Sequence, residues 1–481
     1  MGLHAWNTLG MPELLTSLGF TGVQQKRAAI SVLNRLVDPG AENAIPEWAK
    51  TTALGDILGA NSDDLNEDQF YRIADKLHVY RDKIEVALSR KEKELFQLQR
   101  TIFLYDLSNT YFEGGAEKNP KAQRGHSKEK RDDAPLIAFG IVLDTNGFAI
   151  QHQMFSGNTG DSTTMLSMVE QLIRNESPEN ALIVVDSGIA SEENLRLLKE
   201  HGYHYIVTGK RPTRFAYLKE FQELEFATLA GRKNKPEVTI AWKNIDNEKI
   251  VLCKSDQRQA KEKAIFSHAE TRYVKQLSEL SERIQKGRLT NLEKIAQALG
   301  RLLERNPRIA RYYETEIVFQ NEQYQLKYHR KNEKAKQEEE LLGCYYLRCS
   351  RQDLSEDEIW RIYMMLTKVE SAFKALKSHL GLRPIFHHRE DRCDSHVFIT
   401  VLAYHLLHWI EFSLQQRNDT RSWPTIRRLL QTHAYTTIVA PSKDGKIHHV
   451  RVASAPDDEQ QKIYASLQVK LEKLPRFHSV I

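Results

Sequence analysis

Two apolar segments of this sequence each end in an aspartate. Residues 101–106 read Thr-Ile-Phe-Leu-Tyr-Asp and residues 181–186 read Ala-Leu-Ile-Val-Val-Asp, a composition typical of short buried strands. Sheet proteins place reactive groups where a strand ends, because the strand fixes the backbone and the next loop leaves room for a ligand. Asp106 and Asp186 are therefore candidates for chemistry. An aspartate in either place could instead form a turn or cap the next helix.

A third acid, Glu370, lies on a predicted helix over residues 355–381. Tyr363, Glu370 and Lys377 recur every seven residues and form one row, since a heptad drifts by only about 20° on a straight helix. The same stripe carries two apolar residues, Leu366 and Phe373. The row is therefore expected to face inwards, where a carboxylate needs a cation, a donor or a proton. The alternative is a solvated pair of Glu370 with Lys374.

Local residues signal both ends of that helix. Ser355 and Glu358 match a capping box, and Gly381 supplies the residue type that most readily ends a helix in the left-handed conformation. The segment is therefore expected to be a rigid element that carries its side chains at fixed spacing.

Three carboxylates on rigid elements predict a metal centre. They cannot share a site in ionised form unless divalent cations neutralise them. Ligands that are all oxygen favour Mg²⁺ or Mn²⁺ over zinc. Two such ions about 3.5–4 Å apart would activate a water or a 3′-hydroxyl and stabilise the departing oxygen at a phosphodiester.

The elements around these acids predict an α/β protein. Residues 1 to about 100 show helical spacing, and the helix expected from 66 towards 100 has a polar second half that should face solvent or a partner. From about 101, strands form a hairpin meander and then alternate with helices, one of which is expected to begin with Asp161 as its cap. A charged helical stretch from about 261 to 303 follows among further short strands. This order predicts a mixed sheet.

The composition fits a soluble globular protein, with 28% charged and 41% hydrophobic residues. The apolar run 397–414 has the length of a membrane span, but its polar residues, His405, His408 and Glu411, predict a buried helix. Four cysteines without CxxC spacing, and the lack of a secretory signal, predict a reducing cytosol. Positive charge is concentrated in residues 118–131, which hold six Lys or Arg and one Glu.

Three motifs in this order and spacing resemble DDE transposases of bacterial insertion sequences. They are Tyr105-Asp106-Leu-Ser-Asn-Thr-Tyr-Phe-Glu-Gly, Val185-Asp186-Ser-Gly-Ile-Ala-Ser, and Tyr363-x6-Glu370-x6-Lys377. The similarity extends to Arg124-Gly-His-Ser-Lys128 in the basic segment and to Gly381-Leu-Arg-Pro384 after the helix. It covers most of the chain.

The resemblance implies a ribonuclease H-like mixed-sheet core interrupted by a β-rich insertion. It also implies cut-and-paste transposition in the bacterial cytosol, close to the nucleoid, by a homodimer that holds two transposon ends and later target DNA. Asp106, Asp186 and Glu370 would bind two Mg²⁺ or Mn²⁺ ions. The expected domains are a helical DNA-binding domain (1–100), the first part of the core (101–210), the insertion (211–352), the second part of the core (353–415) and a C-terminal α/β unit that is a candidate for dimerisation (416–481).

Basic and aromatic residues around these motifs are expected to contact DNA: Arg124, Lys128, Arg131, Tyr363, Lys374, Lys377, Arg383 and Arg392. One position departs from the family pattern, because Leu366 stands where the family has an arginine, so the bidentate phosphate contact of an arginine is absent there. We therefore expect Lys374 and Lys377 together to hold the DNA strand.

Three other interpretations stay open at this point. The same core could belong to a nuclease that cuts and never joins, or to a transposase-derived DNA-binding protein without activity, although none of the three acids is missing. A zinc site is the third, but its residues match no common ligand spacing: His387, His388, Cys393 and His396.

Overall fold

The structure is a computed structural model that describes residues 1–60, 64–176, 180–229, 237–470 and 477–480. Its contacts divide the chain into two units. Unit 1 consists of Met1–His204 and Met364–Ile481, and unit 2 is Tyr205–Tyr363. The N-terminal helices, the segments around the three acids and the C-terminal segment all belong to unit 1. The five domains expected from the sequence stay a prediction.

Unit 1 begins with seven helices and continues into a sheet. The helices are α1 (Gly2–Thr8), α2 (Met11–Ser17), α3 (Gly22–Val37), α4 (Ile45–Lys50), α5 (Leu54–Leu58), α6 (Glu67–Val79) and α7 (Arg81–Phe96). Then follow β1 (Ile102–Tyr111), β2 (Leu136–Asp144), β3 (Ala149–Ser156), α8 (Met165–Glu176), β4 (Leu182–Val185) and α9 (Glu192–Glu200).

The sheet of unit 1 has the strand order β3–β2–β1–β4. Strand β2 is antiparallel to both of its neighbours, and β1 is parallel to β4. Next to β4, the backbone N–H of His204 donates to the carbonyl of Ala181 over 2.8 Å, at the start of β5 (His204–Thr208). This is the mixed sheet of a ribonuclease H-like core, as the resemblance implied. Its central strands are buried along almost their whole length because they are rich in Leu, Ile, Val and Phe.

Unit 2 consists of a second, antiparallel set of strands and a helical part. Its elements after β5 are α10 (Leu218–Glu223), β6 (Ala227–Thr228), β7 (Val238–Ile245), β8 (Glu248–Ser255), α11 (Asp256–Gln285), α12 (Leu292–Arg305), α13 (Pro307–Ala310), β9 (Tyr313–Gln320), β10 (Gln323–Arg330), α14 (Asn332–Glu340), β11 (Cys344–Cys349) and α15 (Glu356–Met364). The strand order is β5–β11–β8–β7–β6, and β9 and β10 form a separate hairpin.

Unit 1 resumes with the helix that carries Glu370. Its remaining elements are α16 (Leu366–Lys374), α17 (Glu390–Gln415), α18 (Trp423–Leu430), β12 (Tyr435–Pro441), β13 (Ile447–Ala453), α19 (Asp458–Ser466) and β14 (Phe477–Val480). By length and composition α17 could cross a membrane, but 83% of its most apolar window is buried. It contacts α1, α3 and α6, so the predicted buried helix is confirmed.

Three long helices expected from the sequence are interrupted. The helix expected from 66 towards 100 is divided at Tyr80 into α6 and α7. The helix expected over 355–381 breaks at Met365, where the N–H of Lys368 bonds to the Met365 carbonyl and tightens the turn. The stretch 261–303 is two helices, because Gly287 has a φ of 68° between them. The expected capping box of Ser355 and Glu358 is present.

The polar second half of α7 was expected in solvent, and this expectation is wrong for one of its residues. Glu92 is fully buried and bonds to His405 of α17 over 2.7 Å. One face of α7 also carries Glu85, which bonds to His152 of β3. Buried carboxylates need such partners. The two hydrogen-bonded Glu–His pairs thus fix α7 to the core, and no periodic apolar pattern reveals this.

Two buried histidines make the stability of the fold dependent on pH. Burial is the largest cause that lowers the pKa of His396 to about 4, and the charge of Arg35 is the second. Burial likewise lowers the pKa of His408 to about 3. An unfolded histidine takes up its proton near pH 6.5. Between pH 6.5 and about 4 the unfolded chain therefore binds more protons than the folded protein, and unfolding becomes more favourable as the pH falls.

We expect the free energy of unfolding, from urea titrations, to drop by about 2 kcal/mol per histidine between pH 7 and pH 5. His408→Gln keeps an N–H for the Asn146 carbonyl and should reduce this pH difference by about half. His388→Gln, at an exposed histidine, should leave the difference unchanged. A pH difference that is equal in all three proteins would contradict the role of His408.

Candidate active site

Asp106 lies in the middle of β1, at the centre of the sheet of unit 1. The strand expected to end at this aspartate continues to Tyr111, so that expectation is wrong for Asp106. The carboxylate of Asp106 accepts a hydrogen bond of 2.8 Å from the N–H of Leu107. The pKa of Asp106 is raised to about 6, and burial is the largest cause. Lys128 and the Leu107 N–H act in the opposite direction, and the charges of Asp186 and Asp161 make smaller raising contributions. Burial and two nearby acids thus both disfavour the ionised form of Asp106.

Asp186 follows β4 directly and lies beside Asp106. In the parallel pairing of β1 and β4, Leu104 is opposite Val184. Side chains two residues apart share a face of a strand, so Asp106 and Asp186 extend this pairing on one face and at one level. Asp186 is exposed, and its carboxylate accepts a 2.7 Å hydrogen bond from the N–H of Ser187.

The helix of Glu370 covers the face of the sheet to which Asp106 points. Phe373 of α16 meets Phe139 of β2 edge to face, with 5.2 Å between ring centroids. Phe139 pairs with Ser108 of β1, and paired residues point to the same face. Asp106 shares that face with Ser108, because the two are two residues apart.

Two contacts fix where Glu370 lies along β1. Lys368 donates to the carbonyl of Thr145, just beyond the end of β2 that pairs with the start of β1. Phe373, as above, lies beside the second half of β1. Glu370 is between them on α16, which places it at the level of Asp106.

Glu370 differs from its expectation in one respect. It is exposed, whereas Phe373 is buried and Leu366 is half-buried, so the row does not face inwards as a whole. Among the described residues, the oxygens of Asp106, Asp186 and Glu370 do not all lie within 4.8 Å of one another. Like charges repel, and an exposed glutamate can stand apart from the two aspartates.

Asp161 is a fourth acid at this site, and the sequence did not indicate it. The expectation that it caps a helix is wrong: a short 3₁₀ turn begins at Asp161, and its N-cap is Gly160, without a side-chain bond. The Asp161 carboxylate lies 3.8 Å from the ammonium of Lys128 and helps to raise the pKa of Asp106. A cavity of about 280 Å³ lies next to Asp161 and Lys128.

The basic segment expected to contact DNA folds back onto β1. Lys128 donates to the carbonyl of Leu107 over 2.6 Å. Asn109 holds the loop from the strand, since its amide donates to His126 (2.9 Å) and accepts from the Lys128 N–H (3.2 Å). Gly125 is required there, because a Cβ at this position would lie 2.3 Å from the Gly157 carbonyl oxygen.

The single acid of the basic segment, Glu129, pairs with two residues expected to contact DNA. Its oxygens lie 2.9 Å from Lys377 Nζ and 2.5 Å from an Arg383 guanidinium nitrogen. Burial raises the pKa of Glu129, but the two cations outweigh burial and hold it below its ordinary value. Glu129 therefore neutralises both of these cations, and their contacts with DNA stay predictions.

The other residues expected to contact DNA fall into two groups. Arg131 and Arg392 have carboxylate partners, Asp133 at 2.8 Å and Asp75 at 3.2 Å respectively. Arg124 and Lys374 are exposed and have no carboxylate within 4.0 Å in the described part of the chain. Tyr363, which is also expected to contact DNA, is half-buried and is the last residue of unit 2. Their DNA contacts stay predictions.

A second group of potential metal ligands comes from the segment after α3 and from the residues around the start of α17. Glu42, His387 and His396 bring their ligand atoms within 4.8 Å of one another, without His388 or Cys393 of the zinc interpretation. The guanidinium of Arg35 lies 3.5 Å from Glu42 and 3.3 Å from His396. A buried arginine already neutralises this carboxylate, so the group fits a structural ion network better than a metal site.

A ribonuclease H-like sheet with one acid on the central strand β1, Asp106, and another directly after its neighbour β4, Asp186, is a candidate site for metal-assisted chemistry at phosphodiesters. The family described as "Transposase DDE domain" matches residues 110–406. This is more than half of the chain, and the chain belongs to the DDE transposase family. Its class of chemistry is therefore nuclease and transposition chemistry on DNA, which in this family generally uses divalent metal ions.

Two solved structures are similar at low levels. The piggyBac transposase synaptic complex with hairpin DNA has 9% identity and a TM-score of 0.42, over 84% of this chain and 70% of that chain. The Mos1 transposase paired-end complex with the left transposon end has 10% identity and a TM-score of 0.17, over 35% and 59%. No curated protein matches significantly.

The residues at the site fit divalent cations. Carboxylate oxygens are the ligands that Mg²⁺ and Mn²⁺ prefer. Burial is the largest cause of the raised pKa of Asp106, and the positive charge of Lys128 offsets it only in part. A divalent cation would add positive charge and lower that pKa again.

We expect Glu129→Gln to strengthen DNA binding, because it frees Lys377 and Arg383 for phosphates. The dissociation constant for a 30-base-pair duplex in 100 mM salt, measured by fluorescence anisotropy, should fall about three- to tenfold. Glu117→Gln is the matched control, since it removes an exposed acid close to the same basic segment. Equal effects of the two substitutions would show that only net charge matters.

Proposed function

We propose that this protein is a transposase that cuts DNA at transposon ends and transfers the cut strand into target DNA. A first reaction hydrolyses one strand at the transposon end and leaves a 3′-hydroxyl. That hydroxyl then attacks a second phosphodiester, either in the opposite strand or in target DNA. Asp106, Asp186 and Glu370 are the proposed ligands of two Mg²⁺ or Mn²⁺ ions.

The observation that carries this proposal is the crowding of carboxylates at Asp106. A half-buried aspartate beside two other acids is unfavourable for folding, and such arrangements cluster at functional sites. Family membership supports the same conclusion independently.

The roles of the chain's own residues follow from their positions. Asp106 and Asp186, fixed by two neighbouring strands, provide the rigid part of the ligand set. Glu370 is exposed and on a separate helix, so it can adjust to the bound DNA. When bound, the two ions would activate the attacking oxygen and stabilise the leaving oxygen. The protein contributes positioning and charge balance, and no covalent enzyme intermediate is needed.

DNA is the proposed partner, and two copies of the chain are proposed to hold two transposon ends in the bacterial cytosol. The basic segment 118–131 supports the contact with DNA, since Lys128 lies beside Asp106. A DNA phosphate bound by Lys128 would place its reacting bond beside Asp106. DNA that displaces Glu129 from its two cations would also couple binding of the strand to movement of the basic segment.

We expect Asp106→Asn, Asp186→Asn and Glu370→Gln each to lower the rate of Mg²⁺-dependent cleavage by at least about 10²- to 10³-fold. The substrate is labelled duplex DNA taken from immediately beside the coding region. Binding of the same DNA in EDTA should stay within about twofold, because each substitution removes only one negative charge. Asp132→Asn, at an exposed aspartate just after the basic segment, should cleave like the wild type. An active Asp186→Asn protein would remove the basis of the proposal.

Joining of strands separates a transposase from a nuclease. We expect incubation of the protein with Mg²⁺, a pre-cut donor end and a supercoiled plasmid to give plasmid joined covalently to the donor. The reaction needs no new bond energy, because one phosphodiester is exchanged for another. A protein that cuts an intact donor end and never joins the pre-cut end, even at high target concentration, is a nuclease.

A further inference from the structure

A groove in unit 2 lies between the helices α11 and α12 and has a volume of about 540 Å³. A hydrophobic cluster holds the two helices together below it. Its buried members include Tyr273, Leu277 and Leu280 of α11, and Ile295 and Leu299 of α12. The walls of the groove are therefore rigid helices rather than loops, which fixes the spacing of the side chains on them.

Four cations line this groove. Arg283 extends from α11, and Lys294, Arg301 and Arg305 extend from α12. On α12 the three are spaced by seven and four residues, which puts them on one face of the helix. All four are exposed.

These four cations have no carboxylate within 4.0 Å among the residues that the structure describes. This is unusual for the helix α11, whose Lys286 pairs with Glu282 at 2.8 Å. The one acid in the groove, Glu279, lies 4.0 Å from Lys275 on its own helix. The groove thus concentrates positive charge that the protein itself does not neutralise.

We propose that this groove binds the phosphate backbone of duplex DNA, as a contact site separate from the acidic residues. The inference rests on the proposed function, since it presumes that the protein works on DNA. It adds a sequence-independent contact surface in unit 2.

Dimensions and chemistry of the groove favour a duplex over a small anion. Lys294 and Arg305 are eleven residues apart, which is about 16 Å along a helix. A DNA strand advances about 3.4 Å per phosphate along the duplex axis, so the row can meet several consecutive phosphates. None of the residues that line the groove is aromatic, and stacking on single-stranded bases would need such rings.

The test compares two variants with equal loss of charge. The groove variant carries Arg283→Gln, Lys294→Gln, Arg301→Gln and Arg305→Gln. The control variant carries Lys261→Gln, Lys263→Gln, Lys334→Gln and Lys336→Gln, at exposed lysines of α11 and α14 outside the groove. Circular dichroism and thermal unfolding verify that both are folded. Binding of the full-length proteins to a 30-base-pair duplex is measured in EDTA between 50 and 200 mM salt.

We expect the groove variant to bind about 10- to 100-fold more weakly at 100 mM salt, and the slope of log K against log salt to become shallower by about 3. The control should change affinity by less than about threefold. Glu279→Gln, which removes the acid from the groove, should act in the opposite direction and strengthen binding. Equal affinities and slopes for the wild type, the groove variant and the control would overturn the proposal.

The outcome is independent of catalysis, because binding is measured without metal ions. A groove variant that loses affinity while the wild type fails to cleave DNA in Mg²⁺ would support the groove and reject the proposed function. A groove variant that binds duplex like the wild type, beside a wild type that cleaves, would reject the groove and leave the proposed function intact. Weaker binding of the groove variant to single strands alone would also overturn the assignment to duplex DNA.

Discussion

The structure of unit 1 depends on one electrostatic constraint, the crowding of carboxylates where β1 and β4 run side by side. Asp106 is half-buried there with the charges of Asp186 and Asp161 nearby, and its pKa rises to about 6, chiefly because of burial. Only Lys128 and the Leu107 N–H act in the opposite direction. Such a group of acids destabilises a fold on its own. It is best explained by a ligand that carries positive charge.

The surrounding elements hold the segments around this site in fixed positions. Buried hydrogen bonds hold α7 to the core, where Glu85 meets His152 and Glu92 meets His405. The basic segment is anchored at its start by Lys121, whose ammonium lies 2.5 Å from Asp394 of α17. Further along, the segment is held to the strand by Asn109 and to the region after α16 by Glu129. The cations that could meet DNA are thus positioned by protein carboxylates, which phosphates can replace.

Much of this core could be predicted from the sequence, because long apolar runs and motif spacing are local signals. The strand that carries Asp106, the strand that precedes Asp186, the buried helix α17 and the family all followed from such signals, although β1 continues past Asp106 to Tyr111. The remaining features depend on tertiary contacts. Asp161 approaches Asp106 only after the chain has turned beyond β3, and Glu129 meets its partners across about 250 residues of sequence. The exposure of Glu370 could not be read from its apolar neighbours, because Glu370 and Phe373 are three residues apart on α16 and only Phe373 packs against the sheet.

The central claim is that three distant acids meet around the same metal ions. Fe²⁺ can replace Mg²⁺ at such a site, and with ascorbate and peroxide it cuts the polypeptide near its ligands. We expect cuts near residues 106, 186 and 370, which excess Mg²⁺ suppresses and which disappear together in the Asp186→Asn protein. Cuts confined to the segments of Glu42, His387 and His396, or cuts near only one of the three acids, would contradict the account.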